Sequence, residues 1–99
     1  MGKVARRRPQ RLAEKLRLIR EALGLSQNGM IERLGLNDEL ERHMISMYET
    51  DVREPSLLVL LRYAEVANVY VDTLIDDRLD LPAQLPSPKK HTGIRNAKR

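Results

Sequence analysis

Residues 26–56, SQNGMIERLGLNDELERHMISMYETDVREPS, constrain this chain more than any other stretch. They read as two short helices joined at a glycine, followed by a polar loop that ends at a proline. Ser26 stands where a side-chain oxygen can accept one of the first free amides of a helix. Met30, Ile31 and Leu34 then recur at helical spacing, and Gly35 is where a left-handed turn is least costly. Asp38 followed three residues later by Glu41 has the pattern of a second capping box, opening another helix. In that helix Ile45 and Tyr48 share one face, while Arg42, His43, Ser46 and Met47 lie toward the other. A buried side opposite a polar side is what a helix that contacts a ligand requires.

The flanks extend the helical reading in both directions. Leu12, Leu16, Ile19 and Leu23 follow i, i+4, i+7 and i+11, which predicts an amphipathic helix over residues 11–23 with Gly24 just past its end. After Pro55, Ser56 can cap a further helix, with Leu57, Leu60, Leu61, Ala64 and Ala67 along one face and Arg62 and Glu65 opposite. Asn68, which tolerates the left-handed conformation, ends it, and Val71, Leu74 and Ile75 predict a short last helix running up to Arg78. The expected fold class is therefore all-α, a compact bundle of about five short helices. A chain of 99 residues holds one small domain, and with 41% hydrophobic but only 3% aromatic residues its core must be aliphatic.

Charge divides the chain into three parts. Residues 1–20 carry eight Lys/Arg against one Glu, and residues 81–99 carry five Lys/Arg and no acid. With a total of +4, the body between them is left at −8. Residues 1–10 read as a basic arm containing Arg6, Arg7 and Arg8, residues 11–79 as the helical domain, and residues 80–99 as a basic tail. Pro82, Pro86 and Pro88 exclude regular structure from that tail, which is expected to be disordered in isolation. Both ends are suited to holding phosphate, the reading their basic charge favours, with a solubilising or inert terminus as the alternative.

The absence of cysteine excludes disulfides and thiolate metal sites and suits a reducing cytosol. No apolar run approaches the roughly 20 residues of a membrane span, and no signal-peptide pattern opens the chain. The expectation is a cytoplasmic, nucleoid-associated protein without a membrane partner. Two histidines, no glycine-rich phosphate loop and no metal-ligand spacing give no basis for catalysis or a cofactor, so neither is expected.

LGLSQ at residues 23–27, the Leu34-Gly35 turn, ISMYE at 45–49 and REPS at 53–56 together resemble the helix-turn-helix family of the phage repressor and Cro proteins. The resemblance covers residues 12–76. It implies a DNA-binding domain whose third helix enters the major groove. Aligned on ISMYE, the base-reading positions of the family fall on Arg42, His43, Ser46 and Met47, and a backbone-contacting position falls on Gln27. Thr50 and Arg53 become expected phosphate contacts, with Arg6, Arg7 and Arg8 as an arm reaching phosphates or a minor groove. Arg42 could fork onto a guanine, and Met47 could touch a thymine methyl. The resemblance also implies that Arg20 pairs with Glu49, although a cation near a helix end is equally well explained by the helix dipole.

Several positions depart from the family pattern. Ile31 stands where a small residue is usual, and Tyr70 replaces a small capping residue. Between Leu36 and Ile45 the chain holds about four residues more than usual, close to one helical turn or roughly 6 Å of rise. Either the turn is longer or the third helix is extended at its N-terminus. The stripe Leu40, Met44, Tyr48 and the Asp38 box favour the extended helix. Asp38, Glu39 and Glu41 would then approach a strongly negative groove, and the acidic body would equally suit a basic protein partner.

Two functions follow. The first is a sequence-specific repressor acting as a homodimer on a palindromic operator in double-stranded DNA, with Val69, Val71 and Ile75 as the candidates that the resemblance implies for the dimer seam. The second is an antitoxin or adaptor that keeps the fold but binds a toxin or another protein. His43 and Met47 carry alternative readings: an exposed histidine linked to Glu39, and a methionine packed in the core or on a partner.

Overall fold

Local chemistry sets most helix limits, and in the computed structural model, which describes residues 7–86, those limits are easily recognised. The described residues form α1 (Leu12–Ala22), α2 (Gln27–Leu34), α3 (Arg42–Glu49), α4 (Leu57–Ala67) and α5 (Val71–Ile75), with no strand among them. The Ser26 hydroxyl accepts the Gly29 amide at 2.9 Å and the Ser56 hydroxyl accepts that of Val59 at 3.2 Å, so both serines cap as their positions predict. Gly24 and Gly35 take left-handed φ values of 70° and 73° after α1 and α2. Asn68 ends α4 in the same region at φ 60°.

The core forms where the helices meet. Leu16 and Ile19 of α1, Met30 and Leu34 of α2, Ile45 of α3, Tyr63 of α4 and Leu74 of α5 are all fully enclosed. α3 packs on α1 and α2, α4 packs on α2 and α5, and α5 returns to α1. Ile31 is also buried, so its branched side chain is accommodated inside the core.

The added residues before α3 lengthen the turn and not the helix, which corrects the expectation of an extended α3. Glu41 has φ −121° and ψ 160°, an extended conformation that stops any helix from running through it, and α3 begins only at Arg42. Upstream, the Leu36 carbonyl accepts the amides of both Glu39 and Leu40 at 3.0 Å, closing a separate turn. The cause is burial: Leu36 and Leu40 are both in the core and pin the turn at its two ends. Asp38 therefore caps nothing at α3, and Glu41 occupies the N-cap position without a side-chain bond there.

On α4 the buried face also differs from expectation. Val59, Leu60, Tyr63, Ala64 and Ala67 are buried, whereas Leu57 is 85% and Leu61 43% exposed. The helix is apolar nearly all round, so its periodicity admits more than one inward face, and the large Tyr63 ring takes the centre.

Contacts far apart in sequence join the first helix to the last. Arg11 precedes α1 without capping it, and the Asp77 carboxylate does so instead, accepting the Gln10 amide at 2.8 Å and the Arg11 amide at 3.0 Å. These two amides hold the Asp77 carboxyl below its ordinary pKa. In return, the Lys15 ammonium of α1 donates to the carbonyls of Thr73 at 2.8 Å and Asp76 at 3.0 Å, at the end of α5. Lys15 is only 1% exposed, and burial pushes its pKa down. Residues 80–86 have no helix or strand, yet Leu81 and Leu85 lie against the core, and Arg11 bonds Asp80 at 2.6 Å. This part of the expected tail is docked, and residues 87–99 lie outside the described residues.

Candidate nucleic-acid interface

α3 carries its two faces as the spacing predicts. Ile45 and Tyr48 are buried, at 0% and 4% exposure, and Glu49 is buried beside them. Arg42 and His43 are exposed at the N-terminal end of the opposite face, and Ser46 and Met47 are half-buried one turn on. The four expected reading residues are thus brought together on one side of one helix. The His43 ring stands 3.4 Å from the Glu41 carboxylate and not against Glu39.

Besides the packing of Ile45 and Tyr48, an ion pair holds α3 in place. Arg20 of α1 forks onto Glu49, with Nε donating to Oε2 at 2.7 Å and Nη2 to Oε1 at 3.0 Å. Its remaining nitrogen Nη1 donates to the Leu25 carbonyl at 2.9 Å, so one guanidinium ties α3 to α1 and to the start of the α2 segment. The hydrogen bonds to Glu49 raise the Arg20 pKa further above its ordinary value. This is the pairing that the resemblance implied.

Gln27, expected at a DNA backbone, is half-buried and donates from Nε2 to Glu49 Oε1 at 3.4 Å, so it belongs to the same knot. The Tyr63 hydroxyl is, among the described residues, the buried side-chain polar atom without a hydrogen-bond partner. Burial, reinforced by nearby Glu49, raises its pKa well above the ordinary tyrosine range.

At the far end of α3 the Thr50 hydroxyl donates back to the Ser46 carbonyl at 2.8 Å, and Arg53 is exposed. The chain reverses at Asp51, whose φ of 63° is left-handed, and the Met47 carbonyl accepts the amides of Val52 and Arg53 at 2.9 and 3.2 Å. Of the arginine run, Arg7 is exposed and Arg8 forms an ion pair with Asp51 at 2.8 Å, while Arg6 lies outside the described residues. Arg8 is therefore brought to the loop that follows α3. Sequence reasoning missed Asp51; a non-glycine residue that tolerates the left-handed region just after a helix was the available signal, but nothing local marks its partner.

Between the start of α2, the lengthened turn and the start of α3 lies an open groove of about 600 Å³. Gly29, Asn37, Leu40 and Arg42 line it together with the carboxylates of Glu32 and Glu41. Asp38 and Glu39 are exposed on the same turn, so the N-terminal end of α3 is flanked by acids. Among the described residues no group of side chains is arranged to hold a metal ion, and no helix is long and apolar enough to cross a membrane.

A bundle in which an outward-facing α3 is seated on α2 and locked to α1 defines a helix-turn-helix protein. The chain matches the family model described as Helix-turn-helix, of the Cro/C1 type, over residues 16–74, and it belongs to that family. It is accordingly a DNA-binding regulator of transcription. No curated protein and no solved structure matches it.

Proposed function

We propose that the chain is a sequence-specific repressor that binds a palindromic operator as a homodimer, in the cytoplasm at the nucleoid. The observation that carries this reading is the outward face of α3, where Arg42 and His43 are exposed and Ser46 and Met47 adjoin them, on a helix braced by Arg20 and Glu49. In this reading the N-terminal end of α3 reaches base edges, with Arg42 as the guanine fork. Thr50, Arg53 and Arg7 lie along the phosphates, and Gln27 orients the knot that presents α3. Val69, Val71 and Ile75, joined by the 84% exposed Tyr70, form the seam with the second copy. In this reading the bound domain represses by occluding a promoter. Residues 1–10 act as the phosphate-seeking arm, residues 11–79 as the folded reader and residues 80–99 as a basic extension that begins on its surface.

Selection of bound duplexes from a random pool tests this directly. A recovered palindrome with half-sites about one helical turn apart is the expected result, and a pool without any preferred sequence defeats the proposal.

A second reading, an antitoxin or adaptor bound to a basic protein, is favoured by one observation. Asp38, Glu39 and Glu41 surround the end of α3 that would enter the negatively charged groove. Co-purification of a stoichiometric partner whose binding is lost on Glu39→Lys would support it over operator binding.

A further inference from the structure

The arm and the loop after α3 are joined by a contact that neither end required. Arg8 Nη2 lies 2.8 Å from Asp51 Oδ1 and 3.5 Å from the Asp51 carbonyl oxygen. Arg8 does not reach that position as a loose chain end. Two residues further on, the backbone amide of Gln10 is fixed by Asp77, which anchors the root of the arm. Asp51 in turn lies between Thr50 and Arg53, the loop residues proposed to face phosphate, and it is the acid among them. A carboxylate there opposes DNA, and its pairing with Arg8 leaves the two groups together without net charge. The guanidinium fork fits carboxylate and phosphate with the same geometry, so a phosphate arriving at this loop competes for the same nitrogens.

We propose that Asp51 attenuates DNA binding by occupying Arg8, withholding one arm cation from sequence-independent phosphate contact until the duplex displaces the carboxylate. The inference rests on the DNA-binding reading above. Both partners are partly exposed, with side chains 35% and 57% accessible, and exposed pairs of this kind shift an equilibrium by about two- to fivefold. The restraint is therefore mild, and a duplex can release it.

The test uses the full chain, a labelled duplex of mixed sequence and anisotropy titrations across a salt series. Wild type is compared with Asp51→Asn, Arg8→Ala and the double variant, each checked for folding by its thermal melt. Asparagine tolerates the left-handed backbone at this position, so the substitution removes charge without straining the turn. Asp51→Asn is expected to bind about two- to fivefold more tightly and to steepen the salt dependence by about 0.9 in logarithmic slope, the value for one phosphate. That gain is expected to be larger with Arg8 present than with alanine in its place, by the same about two- to fivefold, because the cycle isolates the pair lost on binding. Equal gains in the two backgrounds would overturn the proposal, since the carboxylate would then act only by repelling DNA. Weaker binding by Asp51→Asn would overturn it too, showing that the pair positions the arm. A wild-type chain that binds no duplex even at low salt defeats the DNA-binding reading itself, an outcome distinct from either of these.

Discussion

Asp77, beyond the last helix, accepts the backbone amide of Arg11 at 3.0 Å and so caps the first helix from the other end of the chain. Lys15 answers it from α1 by donating to the carbonyl of Thr73. Each helix thus satisfies orphan groups at the terminus of the other, and α1 and α5 are closed as a unit.

This reciprocal cap has a pH signature. The Asp77 pKa is lowered in the folded protein, so its contribution is complete above the ordinary carboxylate pKa of 3.8 and is lost as pH falls through the lower folded value. Asp77→Asn should reduce the urea midpoint at neutral pH with an unchanged m-value, and the difference from wild type should shrink as the pH drops below 3.8. An equal difference at all pH values would show that the charge of Asp77 is not what matters.

The Arg20–Glu49 pair joins a half-buried guanidinium, 17% exposed, to a buried carboxylate, 4% exposed, so breaking it leaves one charge without its partner. Arg20→Ala, which strands the buried Glu49 carboxylate, should cost about 3 kcal/mol in urea unfolding, and Glu49→Ala, which leaves a partly exposed guanidinium still bonded to Leu25, should cost less. Arg20→Lys should not rescue, because an ammonium cannot reproduce the fork onto Glu49 and the third bond to Leu25.

Leu81 and Leu85 are both partly buried against the core. Replacing the two by serine should lower stability by about 1–3 kcal/mol, measured by denaturant unfolding. A loss of this size would place residues 80–86 within the cooperative unit, whereas an unchanged midpoint would leave them as an accessory.

Arg42→Ala should relax base preference at one operator position and weaken binding by about 1–3 kcal/mol, read by titration on a selected site. Binding equal to wild type would mean that the reading face has been placed on the wrong residues.

How far these features are visible in the residues depends on their range. The serine caps at 26 and 56, the left-handed Gly24, Gly35 and Asn68, and the inward Ile45 and Tyr48 were legible because each depends on neighbours within about one helical turn. The Arg20–Glu49 pair was legible only through resemblance, since its partners are 29 residues apart. The apolar pattern of α4 was ambiguous, and its inward face was settled by what Tyr63 packs against.

From its residues alone, then, this protein was determined to be an all-helical bundle with two short helices joined at a glycine and a polar third-helix face, because helical periodicity and capping are short-range. The tertiary structure decided the rest. A stripe containing Leu40 fits a helix or a buried turn equally well until Leu36 and Leu40 enter a common core. Likewise Asp51, Asp77 and Lys15 look like ordinary surface charges until the fold brings Arg8, the amides just before α1 and the carbonyls at the end of α5 to them. Their partners lie 43 to 67 residues away in sequence, and only the packing of the helices removes that separation.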